Sequence, residues 1–182
     1  HVVVTFTDPV NSSLNFEDSA VIDVQGTSSQ WYIRKNYKIE TANEHQFDLS
    51  QMAANLFCMK ADYAEDTGTH NTGNANFIHT LYGDVKTPPQ ELNDKVRTTI
   101  YGIPCVMFHK KDASATPEFI GQTNMNWDKN TDKVFGFDST VYPNCQSWEF
   151  CNNTSDACLF HGEIPSVWKD DFESRYPDKC QD

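Results

Sequence analysis

Alternating apolar and polar residues recur in short stretches along the chain and predict a protein built mainly of β-strands. The longest stretch covers residues 31–40, where every second residue from Trp31 to Ile39 is large and apolar except Lys35. A period of two is typical of a strand, because successive side chains point to opposite faces. The same reasoning predicts further strands at residues 2–6, 20–24, 56–61, 98–101, 105–110, 119–127 and 148–150.

Two segments show helical features instead. Thr67 or Thr69 can cap a helix that runs to about Tyr82, and Pro165 suits the first position of a second helix near the C-terminus. An aromatic residue then recurs every four residues, at Trp168, Phe172 and Tyr176. The sequence therefore predicts an α+β fold, with a mainly antiparallel sheet and two or so helices.

The connections between these elements are predicted as loops at residues 41–50, 83–95 and 130–144. Tyr101-Gly102 separates two apolar runs at the distance expected of a hairpin. Pro104 lacks a backbone N–H, which places the second of these runs at an edge of the sheet or delays its start.

The length and charge of the chain limit the classes of protein to which it can belong. Its 182 residues predict a single domain or a fragment of a larger protein, with a loop-rich, cysteine-containing C-terminal part at 139–182. The formal net charge of −12 argues against nucleic acid as a partner. No apolar run approaches the roughly 18 residues that a membrane-spanning helix needs. We interpret the start at His1, without an initiator Met, as that of a fragment or a mature product.

The six cysteines fall into two groups by their surroundings. Cys58 and Cys105 lie in apolar runs, where a reduced thiol packs as a small hydrophobic group. The other four lie in a polar region and can be free thiols, two disulfides or a zinc site, with free thiols favoured and zinc last. These four are Cys145, Cys151, Cys158 and Cys180.

The search for catalytic chemistry gives no standard signature. The chain has no phosphate-binding Gly-x-x-x-x-Gly-Lys loop, no Gly-x-Ser-x-Gly elbow and no His-Glu-x-x-His pair, so no catalytic residue is predicted. Asp62, Glu65 and Asp66 place three carboxylates within five residues, but a solvated turn is favoured over a metal site. Lys35, alone among apolar neighbours, either extends its amine to water or points it at an anion such as a phosphate, and its spacing favours the first.

Several strings resemble known families. Residues 26–40, Gly-Thr-Ser-Ser-Gln-Trp-Tyr-Ile-Arg-Lys-Asn-Tyr-Lys-Ile-Glu, resemble a strand of CotH-type spore-coat protein kinases, in which a Gly-x-x-Ser-Ser turn precedes a basic pair, an aromatic residue and Ile. Residues 60–66 and the pair His70-Asn71 are similar to the acidic stretch and Arg-Asn pair of that family. The strings at 121–129, 134–137, 148–155 and 172–177 resemble a narrower group, large bacteriophage structural proteins that carry a CotH-like region.

The kinase resemblance implies binding of ATP and magnesium. Lys35, with Lys38 or Arg34 as weaker candidates, matches the basic strand, and Glu65 or Asp66 matches the acidic stretch before the helix. Phosphoryl transfer needs such a cation on the phosphates and acidic groups on the metal. The chain departs from the family, because Ile33 stands where Pro is common and His70 where Arg is common. The later Asp-rich magnesium-binding segment of the family has no clear counterpart before Asp182.

The expectation that follows is a structural component of a bacteriophage virion, such as a tail, fibre or capsid-associated module with a CotH-like domain and no cofactor. Its partners would be other virion proteins or the host surface, within an oligomeric assembly. One alternative is a nucleotide-dependent atypical kinase of CotH type that lacks its C-terminal half here. The other is a secreted, extracellular binding module, which four tryptophans and the C-terminal cysteines would suit.

Overall fold

The computed structural model describes residues 1–26, 29–63, 70–82, 85–138, 140, 147–150 and 172–176, with the side chains of residues 70, 147–150 and 172–176 left out of the description. It shows an α+β fold, as the sequence predicts. The chain divides into two compact units, His1–Gly136 and Phe137–Asp182. Whether the chain is a single domain or a fragment of a larger protein stays a prediction.

The first unit is built on one six-stranded antiparallel sheet with the strand order β1-β2-β3-β4-β6-β5. Successive hairpins join the first four strands, and two helices lie in the connection from β4 to β5. The strands are β1 (Val2–Phe6), β2 (Phe16–Gln25), β3 (Asn36–His45), β4 (Ala54–Lys60), β5 (Gly102–His109) and β6 (Glu118–Trp127). The helices are α1 (His70–Tyr82) and α2 (Pro88–Leu92).

The described part of the second unit is a two-stranded antiparallel sheet of β7 (Ser147–Phe150) and β8 (Phe172–Tyr176). The C-terminal helix predicted to include Phe172 and Tyr176 is therefore wrong over those residues, which form a strand. An aromatic spacing of four explains the error, because four is an even number and keeps residues on one face of a strand as well as of a helix. The predicted helix start at Pro165 lies outside the described residues.

One face of the six-stranded sheet carries the apolar core. Phe57 of β4 lies opposite Trp127 of β6, and Met59 lies opposite Met125. The rings of Phe57 and Trp127 stack with centroids 5.0 Å apart, and Phe47 from the loop after β3 closes over Trp127 at 4.6 Å. Burial of these large apolar groups is the main favourable term in folding.

Several predicted boundaries differ from the structure. The strand predicted at 31–40 begins only at Asn36, since β2 ends at Gln25 and the last β2–β3 pair is Gln25 with Asn36. Residues 29–35 pair with none of the described strands and form a turn that begins with a short 3₁₀ helix, Ser29–Trp31. The strand predicted at 98–101 and its hairpin at Gly102 are wrong, because β5 pairs with β6 instead. Pro104 does lie on an edge strand, as predicted.

The helix predicted to end at Tyr82 is confirmed as α1. Among its apolar residues Ala75 is buried, whereas Ile78 and Tyr82 are exposed. The segment 83–95, predicted as a loop, contains the short helix α2, which begins with the consecutive prolines Pro88 and Pro89. None of the described helices is long and apolar enough to cross a membrane.

Cys58 and Cys105 are both free thiols. Cys58 is buried, which confirms its predicted place in the interior, and Cys105 is partly buried and packs against the core. The other four cysteines lie outside the part of the chain whose side chains are described, so their pairing stays a prediction.

A hydrogen bond between His45 and Asp18 joins β2 to the end of β3 and gives the fold a predictable acid sensitivity. His45 Nε2 lies 2.8 Å from Asp18 Oδ2, and the backbone N–H of Asn43 donates to the same oxygen at 2.8 Å. The hydrogen bond to His45, and after it the bond from Asn43, holds the pKa of the Asp18 carboxyl below its ordinary value of 3.8. A folded pKa below the unfolded one means that ionised Asp18 stabilises the fold above about pH 4, and that this stabilisation is lost as the pH falls through the folded pKa.

We expect Asp18→Asn to be less stable than the wild type at pH 7, with the difference shrinking as the pH is lowered below about 4, because the wild type then loses its own carboxylate. Urea unfolding of both proteins at pH 7, 4 and 3 measures this. An equal difference at all three pH values would show that the contribution of Asp18 is not ionic.

Candidate functional site

Lys35, the candidate site residue that stands out most in the sequence, lies in the turn between β2 and β3. Its ammonium donates to the carbonyl of Gln30 at 2.6 Å and to the carbonyl of Tyr32. Two of the three donors of an ammonium group are therefore occupied by the backbone of the same turn. The other two candidates, Glu65 and Asp66, lie outside the described residues, so the structure does not test whether they meet Lys35.

The neighbouring Arg34 fixes the same turn to the sheet. Its guanidinium donates through Nη2 to the carbonyl of Gln122 in β6. Gly121 makes room for it, because a Cβ at that position would lie only 3.0 Å from Arg34 Nη2. The backbone of Gly121 also has φ +149°, which residues with a side chain rarely adopt. The turn is thus held from within by Lys35 and from the sheet by Arg34.

The turn presents large apolar side chains to solvent. Trp31 is 83% exposed and Ile33 is 85% exposed. Between them Tyr32 contacts the ring of Tyr63 with centroids 5.7 Å apart, which supports the turn from the end of β4. We call residues 29–35 the contact turn. It combines a fixed backbone with two exposed apolar groups that the sequence pattern places on the apolar face of a strand.

The contact turn is basic within an acidic protein. No Asp or Glu occurs between Asp23 and Glu40, whereas Arg34, Lys35 and Lys38 lie in that interval. The chain as a whole carries a formal charge of −12. Exposed apolar groups beside cations fit a partner surface that offers an apolar pocket with carboxylates around it.

A second polar constellation lies on the sheet face opposite the core. Asp128, 1% exposed, accepts hydrogen bonds through Oδ2 from Gln25 Nε2 at 3.2 Å and from Cys58 Sγ at 3.0 Å. The Lys60 ammonium donates to Gln25 Oε1, so one amide links the cation to the carboxylate. The other oxygen of Asp128 accepts from the backbone N–H of Asn130 at 2.9 Å. We call this chain of hydrogen bonds the polar network. Its members are Gln25, Cys58, Lys60, Asp128 and Asn130, and it connects β2, β4 and the segment that follows β6.

Burial is the main cause that raises the pKa of the Cys58 thiol to about 12, and the hydrogen bond to Asp128 and its negative charge add to it. A thiol that stays protonated at neutral pH is a poor nucleophile, because the thiolate is the reactive form. Cys58 therefore serves the polar network as a buried donor.

Helix α1 covers part of the same face. Gly102 of β5 lies opposite Asn126, and a Cβ at Gly102 would lie 2.7 Å from Asn126 Cβ and 3.0 Å from Thr72 Cγ2 of α1. A residue without a side chain is required there for the helix to approach the sheet. This approach keeps Asn126 only 4% exposed, although polar side chains of a strand usually face water.

Asp62 follows β4 with a left-handed backbone, φ +44°. Its carboxylate accepts hydrogen bonds from Asn124 Nδ2 at 2.6 Å and from Asn71 Nδ2 at 3.3 Å. Asp62 thus joins β6 to the first turn of α1. Within the described part of the chain, no three His, Cys, Asp or Glu side chains are grouped so that they could hold a metal ion.

Sequence reasoning missed the polar network, although its signal was present. Cys58 and Lys60 alternate with Phe57 and Met59 along β4, and two asparagines alternate with apolar residues at the end of β6. Such alternation predicts one polar face but not whether that face is covered.

Comparison with known proteins finds no match for this chain among protein-family models, curated proteins or solved structures.

Proposed function

We propose that the chain is a structural component of a bacteriophage virion, a tail, fibre or capsid-associated module, and that the contact turn is one of the surfaces through which it binds other virion proteins or the host surface. The virion class comes from the resemblance of the strings at 121–129, 134–137, 148–155 and 172–177 to bacteriophage structural proteins. The turn contributes the physical argument for a binding role.

The observation that carries this proposal is the exposure of Trp31 and Ile33 on a backbone that Lys35 and Arg34 hold in place. Tryptophan is enriched among the residues that contribute most to protein interfaces. Ordering a loop on binding costs free energy, and a loop that is already fixed avoids that cost. Two exposed apolar side chains on a fixed backbone, next to cations, are therefore well suited to a stable protein–protein contact.

The kinase alternative gains no comparable support from the described residues. A lysine that binds nucleotide phosphates needs its donors free to reach them, but Lys35 directs two of its donors to carbonyls of its own turn.

The secreted binding module would also suit an exposed Trp31. It differs from the virion component in where the protein is found, so localisation separates the two.

The test uses phage particles that encode this chain, produced with either wild-type protein or the double variant Trp31→Ala, Ile33→Ala. We expect the wild-type chain in purified particles and at least about a tenfold lower copy number for the double variant, because loss of a central aromatic contact costs about 2 kcal/mol or more. Quantitative mass spectrometry of the particles gives the copy number.

The matched control is Val10→Ala, which also removes an exposed apolar side chain, 94% exposed, but away from the contact turn. It should leave incorporation unchanged. Particles that lack the wild-type chain would overturn the virion proposal. Particles that incorporate the double variant as well as Val10→Ala would leave the virion proposal standing and remove the contact turn from it.

A further inference from the structure

The two edges of the six-stranded sheet differ in chemistry. The edge strands are β1, which pairs with β2, and β5, which pairs with β6. An edge strand presents a row of backbone N–H and C=O groups to which another strand can add. Among the described strands, none lies on the outer side of either.

The β5 edge carries features that hinder strand addition. Pro104 has no N–H to donate, and the register shifts between Met107 and Phe108, as at a β-bulge. Lys110 follows the strand directly. Prolines, bulges and lysines are the means by which sheet edges avoid pairing.

The β1 edge carries none of these features. Its sequence is Val-Val-Val-Thr-Phe, without charge, proline or glycine, and its register with β2 is regular from Val2 to Phe6. Val3 is 67% exposed and Val2 is 41% exposed. A regular, uncharged and β-branched edge is the kind that adds a further strand readily.

We propose that β1 pairs antiparallel with β1 of a second copy of this chain, about a two-fold axis at Val4, so that two six-stranded sheets become one. In this register Val4 lies opposite Val4 of the second copy, Val2 lies opposite Phe6, and Val3 lies opposite Thr5. Every pair across the axis is then uncharged. Residues directly opposite each other in an antiparallel pair project to the same face of the sheet, so the side chains of each pair lie side by side.

The register also continues the apolar side of the sheet. Val4 and Phe6 pack against the apolar core, and the rings of Phe6 and Phe16 stack with centroids 5.5 Å apart. Antiparallel pairing extends this apolar row into the identical row of the second copy. A two-fold contact of this kind is self-complementary and closes at two copies.

Charge opposes the pairing without preventing it. Each copy has a formal charge of −12, and the residues of β2 opposite Thr5 and Val4 are the carboxylates Glu17 and Asp18. These carboxylates are one strand away from the contact in each copy. Because salt screens exposed charges over about 10 Å at 0.1 M, the dimer should be stronger at higher ionic strength.

The test compares the same substitution on the two edges. Val3→Lys places a charge on β1, and Val106→Lys places one on β5, at sites that are 67% and 59% exposed. Sedimentation velocity at a series of protein concentrations, at low and moderate salt, gives the dissociation constant of each dimer. We expect a concentration-dependent dimer for the wild type and for Val106→Lys, and a dissociation constant raised at least about tenfold by Val3→Lys.

Thermal unfolding of both variants shows whether the fold is intact, and exposure of both sites predicts that it is. A wild type that stays monomeric at high micromolar concentration would overturn the proposal. An equal increase of the dimer's dissociation constant in both variants, or assembly beyond two copies, would also overturn the proposal. The proposal does not rest on a virion role, so a chain missing from particles would leave it unaffected.

Discussion

Trp127→Ala is expected to lower the free energy of unfolding by about 3–5 kcal/mol, enough to threaten a domain of ordinary stability. Trp127 is 0% exposed and its ring lies 4.6 Å from that of Phe47 and 5.0 Å from that of Phe57. Removing the indole leaves a cavity between β4, β6 and the loop after β3. Urea unfolding followed by circular dichroism measures the loss.

Trp31→Ala is the matched control, because it makes the same chemical change where the side chain is 83% exposed. We expect it to change stability by less than about 0.5 kcal/mol. Similar losses at the two positions would mean that the contact turn packs against the protein, and the assignment of Trp31 to a binding surface would be wrong.

Trp127→Phe separates packing from hydrogen bonding. The indole N–H donates to Gln51 Oε1, and Gln51 is itself 0% exposed, with a side-chain nitrogen that has no hydrogen-bond partner among the described residues. Phenylalanine fills most of the space but leaves the Gln51 oxygen without its donor. The expected loss is about 1–3 kcal/mol, the usual cost of leaving a buried polar group unpaired.

Asp128→Ala is expected to destabilise the fold by about 2–4 kcal/mol, because it leaves three donors of the polar network without their acceptor. These donors are Gln25 Nε2, Cys58 Sγ and the backbone N–H of Asn130. Asp23→Ala is the control, since Asp23 is an exposed carboxylate on β2, and its change should stay within about 0.5 kcal/mol. Urea unfolding of the two variants gives the comparison.

The Cys58 thiol reports on the same change independently. In the wild type, burial and Asp128 keep the pKa of Cys58 at about 12, so alkylation at pH 8 should be very slow until the protein unfolds. Without the Asp128 carboxylate the pKa falls, although burial still raises it, and alkylation of the native protein should be faster. If Asp128→Ala changed neither stability nor labelling, the polar network would have no structural role.

The sequence predicted the elements whose pattern is local. β1 has the predicted bounds, and β4 and β6 were each predicted to within two residues of both ends. Residues 31–35 are predicted as a strand because the alternation continues through them, and only the end of β2 at Gln25 shows that they pair with none of the described strands. Strand pairing depends on another segment, which a local pattern does not contain.

The same distinction applies to the candidate site. Lys35 stands out in the sequence as the one cation among alternating apolar residues, but its partners are carbonyls within its own turn, which no side-chain pattern could indicate. The polar face of β4 and β6 is visible in the alternation, yet at Asn126 that face is covered where α1 approaches the sheet beside Gly102. That approach brings together segments far apart in the chain, which a local pattern of side chains does not contain.

The position of β6 between β4 and β5 has a consequence for how fast the chain folds. The first four strands and the β5–β6 hairpin each form from neighbouring segments, whereas the β4–β6 contact closes the whole connection that carries α1 and α2. Distant pairing of this kind is slow relative to hairpin formation, so it should limit the folding rate. The entropy of closure rises only logarithmically with length, and a few residues inserted at 85–87 should therefore slow refolding little. Phe57 and Trp127 meet directly across that contact, so truncating either should slow refolding far more than such an insertion does.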